Sequence, residues 1–112
     1  MAAFTEIALE QYSDFQTTIT LDDNQGDAID LTLYTVSSRI KRSPYSSIYY
    51  SFNASITDNA NGVISLSMTS ANTANIPPNR YLYDVLITGE GNNIRVAEGI
   101  VTVTPGITNP ND

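Results

Sequence analysis

Phe15, Thr17, Ile19 and Leu21 alternate with Gln16, Thr18 and Thr20, and this two-residue apolar–polar period recurs along most of the chain. Successive strand side chains point to opposite faces, so the period predicts half-buried strands and excludes a helical bundle. The same beat runs through Tyr34, Val36, Ser38 and Ile40, then Ile48, Tyr50, Phe52, Ala54 and Ile56, then Ile64, Leu66 and Met68, then Tyr81, Tyr83, Val85 and Ile87. Phe4 to Leu9 and Ile94 to Thr104 supply a first and a last strand. Breaks fall at Asp22 to Asp27, Ser43-Pro44, Asp58 to Gly62, Pro77-Pro78 and Gly89 to Asn93, all rich in turn formers. One helical turn is expected over Ser70 to Asn75, capped by Thr69 or Ser70. The alternation shifts phase near Gly99, which predicts a β-bulge there. The reading is all-β: an antiparallel β-sandwich of about seven strands. It forms one domain over residues 1–104, and residues 105–112 make a flexible C-terminal arm.

Composition narrows the chemistry. At 112 residues the chain can bury one core without covalent help. It has no Cys, which removes disulfides and thiolate metal sites, and no His, which removes the usual general base. A net charge of −7 argues against nucleic acid or an anionic membrane as partner. No apolar run is long enough to span a bilayer, and the N-terminus lacks the basic and apolar regions of a secretion signal, so synthesis in a cytoplasm is expected. The acidic segment Asp22 to Asp27 departs from a calcium loop, since Leu33 stands where the closing Glu belongs. Gly89-Glu90-Gly91 lacks the spacing of a phosphate loop. Asp84 and Glu90 give no sign of a shared pocket, and Lys41, the only lysine, reads as a solvated strand end. The expectation is no cofactor, no metal and no enzyme activity.

Binding is the remaining class. Tyr45, Tyr49 and Tyr50 crowd one segment beside Arg39, Lys41 and Arg42, and Tyr and Arg are favoured at interfaces. The alternative is a core Tyr50 with two ordinary exposed aromatics. The uncharged run Ile48 to Ile56 would form a weakly guarded edge, with Ser51 at an outward position. Pro78-Asn79-Arg80-Tyr81-Leu82-Tyr83 fits the tyrosine corner of an immunoglobulin-like sandwich, with Tyr81 as the corner residue, though both tyrosines could simply pack in the core.

A family resemblance follows from longer strings. Asp14-Phe15…Ile19-Thr20-Leu21…Gly26…Asp30-Leu31-Thr32…Tyr34, Gly62-Val63-Ile64…Leu66…Met68-Thr69…Thr73…Ile76-Pro77…Arg80 to Val85, and Glu98 to Pro105 resemble small bacteriophage virion proteins. They are similar in particular to the immunoglobulin-like N-terminal domain of the baseplate protein BppU. Leu33 and Asn79 depart from it, standing where the pattern has glycine. The resemblance implies a non-catalytic virion structural protein: a tail or baseplate adaptor, or a head decoration or fibre-base component. It would contact other virion proteins in a homo-oligomer or symmetric multi-copy assembly, without nucleic acid or membrane. A carbohydrate- or host-surface-binding module, with Tyr45 and Tyr49 as stacking platforms, is the alternative.

Overall fold

A computed structural model of the chain describes residues 3–22 and 29–109. The strands are β1 (Ala3–Glu10), β2 (Phe15–Thr20), β3 (Thr35–Lys41), β4 (Tyr50–Ser51), β5 (Asn53–Asp58), β6 (Val63–Met68), β7 (Asn79–Gly89) and β8 (Asn92–Thr104). One helical turn, α1 (Ser70–Thr73), joins β6 to β7. Five strands in the order β1-β8-β7-β3-β4 make one sheet, and β2-β6-β5 make the other. This is an all-β sandwich of two sheets.

Period-two patterning accounts for the packing. Leu9, Leu21, Ile40, Ile64, Leu66, Val85, Ile87 and Val101 are almost wholly buried between the sheets. The residues between them face outward, as in β7, where Tyr81, Tyr83, Val85 and Ile87 point in while Leu82, Asp84 and Leu86 point out. Buried Ser38 donates its hydroxyl to the Asp84 carbonyl at 2.6 Å, so this polar group does not weaken the core. The α1 turn is capped by Thr69, whose hydroxyl accepts from the Asn72 N–H.

Eight strands among the described residues, one of them the two-residue β4, agree with the expected count of about seven. Three sequence expectations are corrected. The sandwich is not wholly antiparallel: β1 runs parallel to β8, from Ala3 opposite Ala97 to Glu10 opposite Thr104. Gly99 is not a bulge. It pairs with Tyr83 on one side and Thr5 on the other, and a Cβ there would lie 1.7 Å from the Thr5 carbonyl oxygen. The glycine is needed for the close approach of β1, and the register shift falls at Val96, where Val96 and Ala97 both turn inward. Ile48 to Ile56 is not one strand either. The chain changes sheets at Phe52, whose N–H still bonds the Ser38 carbonyl of β3, whereas Asn53 already pairs with Ser67 of β6. Burying the Phe52 ring against Phe15 and Tyr83, with centroids 5.8 and 6.1 Å away, drives the switch.

The two sequence departures resolve differently. Leu33 takes φ +82°, the left-handed backbone that glycine adopts freely, with its side chain in solvent. Asn79 lies in β7 and needs no such conformation. The acidic segment at residues 23–28 lies outside the described residues. The C-terminal arm begins tied down: Gly106 N–H donates to Gln11 Oε1 at 3.2 Å, while Gln11 Nε2 donates to the Ile76 carbonyl at 2.9 Å. Residues 110–112 lie outside the described residues.

Candidate interaction surface

Outward residues of the five-stranded sheet build the surface row by row. Pairing sets Ser51 beside Arg39, Arg39 beside Asp84 and Asp84 beside Glu98. One row along the strands, Lys41 lies beside Leu82, Leu82 beside Ile100 and Ile100 beside Glu6. Between these rows lies a groove of about 570 Å³, lined by Arg39, Lys41, Pro44, Leu82, Asp84 and Arg95 among others. Arg95 closes one side of it by bonding Asp84 at 3.3 Å and Glu98 at 3.6 Å. These ions are substantially exposed, so the cluster organises the face more than it stabilises the fold.

The β3–β4 connection rises at the edge of this face. It begins at Ser43-Pro44, where proline cannot extend the ladder, and turns back through the Ser46 N–H to Ser43 carbonyl bond at 3.1 Å. Tyr45 at its tip is 95% exposed, and Ile48 is 68% exposed. Tyr49 is partly exposed, and the Arg39 guanidinium stacks 4.2 Å from its ring centroid. Tyr50 turns inward, edge-on to Tyr81 at 6.2 Å between centroids. Tyr45, Ile48, Tyr49 and Arg39 thus share one corner with Ser51. Tyr50 belongs to the packing beneath it, and Arg42 lies exposed at the end of β3.

Sequence reasoning put Ile48 on the inward side of a strand and overlooked Leu82, Arg95 and Glu98. The signal for Leu82 was available: it lies out of phase with Tyr81 and Tyr83 and must face solvent or a partner. The Arg95 cluster depended on register between distant strands. Asp84 and Glu90 are not brought together. Six residues of strand separate them by about 20 Å, and Glu90 sits in the β7–β8 turn with φ +51°.

Two tyrosines support this face from below. The Tyr81 hydroxyl donates to the Pro77 carbonyl at 2.5 Å, the reach-back of a tyrosine corner, and burial raises its pKa. Tyr50 pushes the same way and Arg42 opposes. Burial also raises the Tyr83 phenol, against a smaller lowering by Thr5. The Tyr83 hydroxyl nevertheless completes no hydrogen bond of good geometry, so desolvation governs it.

Among the described residues no group of three or more acidic side chains is placed to hold a metal, and no helix is long and apolar enough to cross a membrane. No protein-family model matches the chain. No curated protein matches it. Among solved structures, it is similar to part of InlP from Listeria monocytogenes, at 12% identity over 89% of this chain and 26% of that one, with a TM-score of 0.48. It is also similar to part of a family 123 glycoside hydrolase from Clostridium perfringens, at 12% identity over 94% of this chain and 23% of that one, with a TM-score of 0.41. The chain spans about a quarter of each of these proteins.

Proposed function

We propose that this domain is a non-catalytic structural component of a bacteriophage particle, an adaptor or decoration protein that works by holding other virion proteins. The observation that carries the docking half is the β3–β4 corner. Tyr45 and Ile48 are both more than half exposed beside the Arg39–Tyr49 stack. Large apolar side chains in water lose the stabilisation that burial in a partner would restore, and an aromatic–arginine group is the composition that interface centres favour. The virion half rests on the residue strings that resemble phage proteins.

Quantitative mass spectrometry of purified phage particles tests this reading. The protein is expected at a fixed copy number relative to the major capsid protein, and its absence from particles would end the proposal. A carbohydrate- or host-surface-binding module is the second reading, favoured by the exposed Tyr45 ring. Arg39 occupies one face of Tyr49, which leaves Tyr45 as the open platform. Glycan-array binding that vanishes with Tyr45→Ser would favour it over the first.

A further inference from the structure

We infer that a second copy of this chain packs on the outer face of the five-stranded sheet, about a two-fold axis parallel to the strands, with Lys41 of each copy against Glu6 of the other. This rests on the reading that the domain acts through protein contacts, and it specifies one partner and one geometry.

The row Lys41, Leu82, Ile100, Glu6 crosses the sheet from β3 to β1 and reads cation, apolar, apolar, anion. A half-turn about an axis between β7 and β8 reverses that order. It lays Lys41 over Glu6 and Leu82 over Ile100, then repeats both pairs on the other side. Such self-complementarity is what an isologous dimer requires. Packed sheets lie about 10 Å apart, within the joint reach of a lysine and a glutamate. Leu82 is 42% exposed at the centre of the row, and neither Lys41 nor Glu6 has an ion partner among the described residues. In the next row Asp84 meets Glu98 across the axis, and each is already bridged by its own Arg95.

Charge distribution selects the same face. Two chains of net charge −7 repel over most of their surfaces. Four of the five cations, Arg39, Lys41, Arg80 and Arg95, lie on this sheet's outer side, against the acids Glu6, Glu10, Asp84 and Glu98. Copies can meet there without net repulsion.

Sedimentation equilibrium of the full chain, with Lys41→Glu and Glu6→Lys made separately, tests the inference. The parent should dimerise. Each single swap places like charges at both contacts and should weaken the dimer at least about tenfold. An equimolar mixture of the two variants should form a one-to-one heterodimer, and both swaps in one chain should restore the homodimer. A circular dichroism spectrum like the parent's confirms folding of each variant. A parent that stays monomeric at millimolar concentration, single swaps that dimerise as the parent does, or a mixture that fails to recover would each overturn the inference. A Tyr45 or Ile48 variant that still loses particle binding would then leave the docking reading standing, with the sheet face assigned to another protein.

Discussion

The two outer faces of the sandwich come from the same chain and share almost no chemistry. The three-stranded sheet presents Gln16, Thr18, Thr20, Asn53, Ser55, Ser65 and Ser67, and the one charged residue of its strands is Asp58, exposed at the end of β5. Its polar groups bond one another or the backbone: Gln16 Nε2 donates to Ser65 Oγ at 3.0 Å, and Thr57 Oγ1 to the Val63 carbonyl at 3.2 Å. The five-stranded sheet presents long ionic side chains, exposed Leu82, and the Tyr45–Tyr49 corner. One face bonds polar groups within its own sheet, whereas the other leaves Lys41 and Glu6 without an ion partner among the described residues and Leu82 in solvent. A net charge summed over the whole chain hides this division.

The largest expected effect comes from breaking the five-stranded face at its base. Gly99→Ala drives a Cβ into the Thr5 backbone and should cost about 3 kcal/mol, read as a lower urea midpoint, because β1 must move away. A midpoint like the parent's would show that β1 is not docked this closely. Tyr81→Phe leaves both faces intact but strips the Pro77 carbonyl of its donor, and should cost about 1 kcal/mol. Leu33→Gly relieves a left-handed backbone on an exposed side chain and should raise stability by about 1 kcal/mol, as thermal denaturation would report.

Smaller effects sharpen the contrast between the faces. Tyr45→Ser with Ile48→Ser should change stability by less than about 0.5 kcal/mol per site. Thr18→Lys with Ser65→Lys should cost about 1 kcal/mol in all, since the two lysines face each other across β2 and β6 and the Gln16 bond to Ser65 is lost. Only the first pair should impair docking. The tyrosines beneath the five-stranded face also confer an alkaline limit. Tyr81 and Tyr83 hold their protons above the ordinary value of 10.0, so they bind them more tightly folded than unfolded. Their contribution is complete below pH 10.0 and is lost as pH rises through the higher folded values. A melting temperature that falls above this pH, and falls less steeply in Tyr81→Phe, is the expected profile.

The strands were legible in the sequence because a buried face enforces alternation, and Tyr81 to Ile87 could hardly be read otherwise. What the sequence concealed depended on contacts between distant segments. The alternation of Tyr50, Phe52 and Ala54 continues unbroken through the sheet switch, since Phe52 faces the core from either sheet. The parallel seat of β1 depended on Gly99 meeting Thr5, 94 residues away, and period-two patterning does not record which edge a strand joins. The corner residues Tyr45 and Tyr49 were readable from residue type and a proline break. The ionic cluster of Asp84, Arg95 and Glu98 needed the β7–β8 register, including the shift at Val96.

Rebinding of the purified chain to phage particles prepared without it tests the division between the faces most directly. The parent and the Thr18→Lys, Ser65→Lys variant should rebind at equal copy number, while the Tyr45→Ser, Ile48→Ser variant should not. Equal rebinding by all three, or loss confined to the three-stranded-face variant, would contradict the assignment of docking to the five-stranded side.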